Sequence, residues 1–340
     1  MNVLTSLNQG LHQAFERDAN VYLLGEDILD PYGGAFKVTQ GLSSSFPGRV
    51  FTTPISEAGI VGVAAGMALR GLRPVIEIMF GDFVTLIADQ LINHIAKFRW
   101  MYNEQVRVPL VIRTPMGGRR GYGPTHSQTL EKLFLGVPGI RVLAASNFHD
   151  SGKLLTKTIL TTEDPVLFIE NKLLYPLSIL DPSTMTELTL HTIQPSPTNH
   201  PLPPFFFMTL TGAPSPEITM VAYGYMAELA RQAIVELAYQ EEIFTELVVP
   251  TQLAPFVIDP IVDSVRKTGK LLVIEEGNLS MGWGAEILAR SSERLGGSIK
   301  AALRVGAREH PIPASPALET ITLPGIDAIQ NAARRLYHME

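Results

Sequence analysis

Residues 52–71 read TTPISEAGIVGVAAGMALRG and set one carboxylate, Glu57, at the head of a stretch that is otherwise small and apolar. Two readings of Glu57 stand side by side. In the first, Thr53-Pro54 ends a strand, Ser56 caps a helix, and a carboxylate in the first turn gains from the helix dipole. In the second, the bareness of Gly59, Gly62, Ala64, Ala65, Gly66 and Ala68 lets another helix or chain approach closely. A carboxyl group at such a packed interface is desolvated, and desolvation favours the protonated form unless a partner is supplied. That reading points to proton exchange.

Three further stretches could carry chemistry. Residues 114–134, TPMGGRRGYGPTHSQTLEKLF, place four glycines, two prolines and the adjacent Arg119 and Arg120 after an apolar strand. A loop beyond the carboxyl end of a parallel strand is where α/β proteins build sites. His126 ends this loop, with Ser127 and Gln128 opening the next helix; it reads either as a hydrogen-bonded loop residue or as a catalytic one. No G-x-S-x-G elbow accompanies it, so His126 and Ser127 are not a hydrolase pair. The glycines fit neither G-x-G-x-x-G nor a P-loop. In EIMFGDFVTLIADQ, residues 77–90, Met79, Phe80 and Phe83 are either plain core or the edge of a flat ligand site. In LLVIEEGNLSMGWGAEI, residues 271–287, Glu275 and Glu276 with the glycines after them read as structural.

The elements that must position these residues alternate. Apolar strands are expected at 21–26, 74–79, 108–114, 140–145 and 166–170, separated by helical spacing such as DFVTLIADQLINHIAKFRWMY. Strands apolar on both faces and separated by helices argue for a covered parallel sheet. The pattern resumes with ITMVAYG, the helix MAELARQAIVELAYQEE, TELVVP, KLLVIEE, the helix GAEILARSSERLG and a last helix near GIDAIQNAARRLYHM. Two α/β units of unequal size follow. Between them prolines accumulate at 176, 182, 195, 197, 201, 203, 204, 214 and 216. Proline removes a backbone donor, so residues 176–216 read as an extended connection rather than a regular core element, with Phe205, Phe206 and Phe207 pinning it to a domain surface.

Bulk properties narrow the class. A chain of 340 residues with 46% hydrophobic content can bury two cores. With 27 basic and 33 acidic residues the net charge is -6, and no basic run is longer than a pair, which argues against a nucleic-acid partner. Cysteine is absent, which leaves no disulfide framework and no thiolate metal site. The N-terminus reads as an amphipathic helix, and no apolar run reaches the roughly 18 residues of a membrane span. A soluble, cytoplasmic protein is the expectation.

Taken in order, LLGEDILDPYGGAFKVTQGL, TPISEAGIVGVAAGMALRGLRPVIEIMFGDF, HSQTLEKLFLGVPGIRVLA, DPVLFIEN, EEGNLSMGWGAEI and VGAREHPIPASPALE resemble the beta subunit of the thiamine-diphosphate-dependent 2-oxo acid dehydrogenase component, of pyruvate or branched-chain type. The likeness is strong over residues 20–175, moderate from 218 onward and weak across the connection. It implies a parallel-sheet, transketolase-type pyrimidine-binding domain over residues 1–175, a linker over 176–216, and a smaller α/β transketolase C-terminal domain over 217–340. It further implies that Glu57 bonds N1′ of the cofactor's aminopyrimidine and shuttles its proton, with Ile55, Met79 and Phe83 around the ring. His126 would stand in the substrate channel. A 2-oxo acid would be decarboxylated and its acyl group passed to a lipoyl-bearing acyltransferase. The backbone carbonyls of Leu110, Ile159, Thr162 and Asp164 match positions that hold a structural potassium ion in relatives.

Departures from the family pattern carry information of their own. No G-D-G…N pattern for magnesium and diphosphate is present. The resemblance therefore implies an alpha subunit that holds Mg2+ and completes the site in an α2β2 heterotetramer, with a beta–beta contact. Leu86 stands where many relatives have Gln, VVPTQLAPFV replaces an Arg-containing segment, and EEGN replaces EEGW. Arg119 and Arg120 make the loop unusually basic. Arginine suits bidentate recognition of a carboxylate or phosphate, so an additional acidic group on the substrate is one reading and exposed loop arginines the other. Two alternatives to the dehydrogenase remain: the C-terminal half of a split transketolase-like ketol or acyloin transferase, and a non-catalytic subunit that stabilises its partner.

Overall fold

The computed structural model describes residues 1–194 and 203–339, and the chain divides into two compact units. The first comprises Met1–Gly117 and Thr125–Ile179; the second comprises Gly118–Pro124 and Leu180–Glu340.

In the first unit, β1 (Val21–Gly25), β2 (Val50–Thr52), β3 (Arg73–Glu77), β4 (Val111–Met116), β5 (Arg141–Ala144) and β6 (Val166–Asn171) lie in the order β5-β6-β4-β3-β1-β2. Every pairing among them is parallel. The β4 and β6 residues are buried throughout, as strands covered on both faces must be. Helix α1 (Val3–Arg17) packs on α5 (Ser151–Thr161). Gly10 and Gly152 permit the approach: a Cβ on Gly10 would lie 2.4 Å from the Gly152 carbonyl oxygen. The Ser6 hydroxyl accepts the Gly152 N–H at 2.7 Å and donates to Asp150 at 2.6 Å, clamping the pair. The short α2 (Leu42–Ser45) follows β1, and α3 (Glu57–Leu69) packs on β1 and β3.

The region 81–101 is helical but not one α-helix. It runs as a 3-10 segment over Gly81–Ile87, a π-helical segment over Gln90–Ile95, and only then α4 (Ala96–Met101). Such irregular winding inside a helix often marks a site where side chains must be aimed.

In the second unit, β7 (Leu188–Ile193), β8 (Phe205–Leu210), β9 (Ile218–Ala222), β10 (Thr245–Pro250), the short β11 (Gln252–Ala254), β12 (Lys270–Asn278) and β13 (Ala301–Ala307) alternate with α6 (Gly224–Glu241), α7 (Asp259–Thr268), α8 (Trp283–Leu295), α9 (Pro316–Thr322) and α10 (Ile326–Tyr337). Six of these strands form a sheet in the order β13-β12-β9-β10-β8-β7. The pairs β13–β12, β12–β9 and β9–β10 are parallel; β10–β8 and β8–β7 are antiparallel.

Those last two strands correct the reading of residues 176–216 as a connection without regular core structure. Phe205, Phe206 and Phe207 do not pin a linker; they are strand β8 itself and are buried. Prolines 203 and 204 precede that strand and Pro214 and Pro216 follow it, so none interrupts the ladder. The linker prolines 195, 197 and 201 lie outside the described residues. Because β7 and β8 join the second sheet, the second unit begins at Leu180 rather than after the proline-rich stretch. Among the described residues no helix is long and apolar enough to cross a membrane.

Candidate active site

In the first sheet, β2 lies on one side of β1 and β3 on the other, so the chain changes direction about β1. Open parallel sheets bind ligands beyond the carboxyl ends of their strands at such a switch point. Glu26 follows β1, the loop 53–56 follows β2, Met79 to Phe83 follow β3 and Gly117 follows β4. Ile55, Glu57, Met79, Phe83 and His126 therefore follow the carboxyl ends of these strands, whereas Leu110 and Asp164 precede β4 and β6 at the other end, with Ile159 and Thr162 at the close of α5.

Glu57 opens α3 and is buried. Ser56 occupies the cap position by backbone, but its hydroxyl makes no capping bond. The loop before it is tied to β1 by Thr53, whose N–H and hydroxyl both donate to the Gly25 carbonyl at 3.0 and 3.3 Å. Behind Glu57, α3 is two-faced. Ile60, Val61, Ala64, Ala65 and Ala68 are buried, whereas Gly59, Gly62, Val63, Gly66 and Leu69 are exposed. A Cβ added at Gly62 or Gly66 would meet nothing within 4 Å. Ile55, directly before Ser56, is 85% exposed.

Glu26 is a neighbour that motif reading passed over. It is buried, and one of its carboxylate oxygens, Oε1, has no hydrogen-bond partner. Burial first, and then the charge of Glu57, push its carboxyl above the ordinary range; the Ser56 N–H opposes them, and Asp27 adds a smaller upward push. Its position one residue past an apolar strand in a parallel sheet is the signal that could have found it.

The second half of the edge is aromatic. Helix α3 packs on the Gly81–Ile87 segment that carries Phe83. Phe83 and Met79 are half-buried. The His126 ring meets Phe80 and Phe83 edge-on, with centroids 4.8 and 5.4 Å apart, and its Nδ1 lies 3.0 Å from the Thr125 hydroxyl. Below the ring the backbone is fixed from three sides. Lys172 Nζ donates to the carbonyls of Gly117 and His126 at 2.7 and 2.8 Å. Asp82 accepts from the backbone N and side-chain Nε2 of Gln128 at 3.2 and 2.9 Å. The Gly117 N–H donates to the Gln128 carbonyl at 3.3 Å. Neither Lys172 nor Asp82 stood out in sequence, since a lone Lys after a strand and a lone Asp in a helical run are commonplace.

The two loop arginines part company. Arg119, held at φ 63°, belongs to the second unit and is engaged there. Its guanidinium pairs with Glu276 at 3.2 Å and donates to the Pro324 carbonyl at 2.6 Å, while its N–H donates to Glu319 at 2.7 Å. The Gly118 N–H donates to Glu276 and the Gly121 N–H to Glu319. Arg120 is exposed, its guanidinium over the Tyr122 ring. Glu275 accepts the Gly284 N–H at the start of α8, so this strand-end carboxylate pair holds backbone.

The carbonyls matched to a potassium ion fit one poorly. Those of Ile159 and Thr162 both accept Nη1 of Arg73 at 3.0 Å, and Leu110 accepts the Val166 N–H. An ion on the same oxygens would sit beside a guanidinium, and like charges at that range repel. Among the described residues no group of three or more His, Asp or Glu side chains is placed to hold a metal.

The transketolase pyrimidine-binding domain model matches residues 1–178, and the transketolase C-terminal domain model matches residues 210–329. The pyruvate dehydrogenase E1 component subunit beta of Leifsonia xyli is 36% identical over 335 residues, spanning 98% of this chain and 94% of the relative. The chain belongs to the 2-oxo acid dehydrogenase E1 beta-subunit family. Within that family, acetoin:2,6-dichlorophenolindophenol oxidoreductase subunit beta of Cupriavidus necator is 33% identical over 98% of this chain and 97% of its own length. The 2-oxoisovalerate dehydrogenase subunit beta of Pseudomonas aeruginosa is 34% identical over 99% and 95%. A solved structure described as the inactive beta4 tetramer of a split-gene transketolase shares the fold of this E1 beta-type chain, with a TM-score of 0.75 at 18% identity over 98% of this chain and 97% of that one.

Proposed function

We propose that this chain is the catalytic beta subunit of a thiamine-diphosphate-dependent 2-oxo acid dehydrogenase. Its reaction is oxidative decarboxylation of a 2-oxo acid, with the acyl group passed to a lipoyl-bearing acyltransferase. The observation that carries the reading is Glu57, buried at the head of a bare helix on the switch-point edge, beside Glu26 and in front of an exposed Ile55. Burial and the nearby charge of Glu57 push the Glu26 carboxyl above its ordinary range, so this edge carries a carboxyl that is readily protonated. Glu57 holds and returns a proton at a ring nitrogen of the cofactor; Ile55, Met79 and Phe83 orient the ring by apolar contact. When bound, thiamine diphosphate supplies the electron sink for decarboxylation. His126 faces the substrate, its ring held by Phe80 and Phe83. For an acidic substrate group, Arg120 is the arginine of choice, since Arg119 is ion-paired to Glu276.

The partners follow from what this half-site needs. An alpha subunit supplies the diphosphate and Mg2+ half in an α2β2 assembly, and the exposed Gly59–Gly62–Gly66 face of α3 suits close helix contact between beta subunits. Potassium has no part in this reading, since the carbonyls of Ile159 and Thr162 already accept Arg73. A second reading keeps the same half-site and takes an acyloin as substrate; the end-to-end likeness to the acetoin enzyme's beta subunit favours it.

Calorimetry of thiamine diphosphate with Mg2+ tests the proposal. This chain alone should not bind tightly, and this chain with its alpha subunit should. A panel of pyruvate, 2-oxoisovalerate and acetoin then separates the two substrates. Glu57→Ala should assemble yet lose at least 100-fold in turnover, within the range general acid–base groups contribute. Unchanged turnover in Glu57→Ala would overturn the catalytic role.

A further inference from the structure

We infer that Lys172 is a positioning residue for His126, setting where the imidazole stands in the active site; this rests on the proposed role of His126. Lys172 is the first residue past β6, whose Asn171 pairs in register with Met116 at the end of β4, and it is fully buried. Its Nζ donates to two carbonyls, Gly117 at 2.7 Å and His126 at 2.8 Å. Bonded to one nitrogen, those oxygens lie no farther apart than the sum of the two lengths. They are the two feet of the segment 117–126, so a single ammonium closes it at its base.

The closure is built in from both sides. Gly117 stands at φ 90°, and a Cβ there would lie 2.3 Å from the Asn171 Nδ2, so the chain passes hard against the end of β6 only because this residue is glycine. The ammonium also lies 5.4 Å from the Phe80 centroid, and Phe80 is the ring on which His126 rests edge-on. Lys172 therefore acts on His126 twice, through its carbonyl and through the aromatic wall. Ammonium-to-carbonyl bonds in a dry site are strong and short. A methionine would fill the same volume and supply neither donor. Lys172 touches no reacting atom in this arrangement; its effect passes through His126.

The test is a double-mutant cycle on the assembled enzyme with its alpha subunit, using whichever acid of the pyruvate and 2-oxoisovalerate pair the wild type turns over. Lys172→Met should lower kcat/KM by roughly 10- to 100-fold, the scale of an ångström-sized misplacement. Lys172→Arg should recover part of that loss, and thiamine diphosphate affinity by calorimetry should stay within about twofold, because Glu57 is untouched. In a His126→Ala background, Lys172→Met should cost less than about threefold, since non-additivity marks residues acting as one unit. Equal losses in both backgrounds, or none in the first, overturn the inference. Where Lys172→Met does not assemble, Lys172→Arg carries the same comparison: a loss that needs His126 supports the inference, and an equal loss in both backgrounds refutes it. Full turnover by His126→Ala would instead refute the role of His126 on which it rests.

Discussion

Gly62→Leu should stabilise the isolated chain while destroying its assembly. Gly62 lies inside α3 on the exposed face, and its added Cβ would meet nothing within 4 Å. Glycine costs a helix interior about 0.8–1 kcal/mol relative to alanine, and leucine costs little, so the substitution should contribute on the order of 0.7 kcal/mol to the isolated fold. For a domain of this size that is a rise in Tm of roughly 1–3 °C. The same side chain placed in a close-packed helix contact forces overpacking worth about 1–3 kcal/mol. Across the proposed two-fold contact between beta subunits the leucine enters twice, so association should weaken by about 2–6 kcal/mol, or some 30- to 20,000-fold. Size-exclusion chromatography with light scattering reads the assembly, and a thermal melt of the chain alone reads the fold. An unchanged assembled mass would refute the contact. A lowered Tm in the isolated chain would refute the open face itself.

Two further outcomes are expected. Arg113→Leu leaves Glu77 and Glu170 buried without the guanidinium that bonds both, and should cost about 3–5 kcal/mol in urea unfolding of the isolated chain; a loss under about 1 kcal/mol would show that the cluster relaxes or hydrates. Burial pushes the His149 imidazole down to about 4, against the opposing backbone hydrogen bond and charge of Asp150, and its Nε2 is closed off from solvent. The unfolded chain then takes up this proton first, so the stabilisation is full above about 6.5 and declines as pH falls toward 4, by at most about 3 kcal/mol. His149→Gln should flatten the fall in urea midpoint between pH 6.5 and 5, where few carboxylates titrate, and an unaltered slope would count against the buried neutral imidazole.

Legibility in the sequence tracked how local each signal was. Five strands of the first sheet were readable because burial on both faces makes their apolar runs continuous, and β2, three residues long with two of them exposed, showed only its end, at Thr53-Pro54. The helix reading of residues 81–101 caught the winding and missed its irregularity, because 3-10 and π-helical turns leave no distinct period in so short a run. Strands β7 and β8 were hidden by the prolines around them, which interrupt the pattern without interrupting the ladder. At the site, Glu57 was visible because a carboxylate among glycines and alanines is a contrast along the chain itself. Glu26 and Lys172 were not, since their neighbours that matter are Glu57 and the carbonyls of Gly117 and His126, far away in sequence.

Residue type and spacing alone determined the alternating α/β pattern, the bare helix behind Glu57 and the glycine-rich loop ending at His126, because each is set by interactions within a few residues. Only the tertiary structure decided that Glu26 stands by Glu57, that Arg119 is ion-paired while Arg120 is exposed, and that Arg73 already bonds two of the carbonyls matched to an ion. These are choices of partner. Charges and hydrogen-bond donors act over a few ångström, and which groups come that close is settled by how the strands are ordered in the sheet, not by their order along the chain.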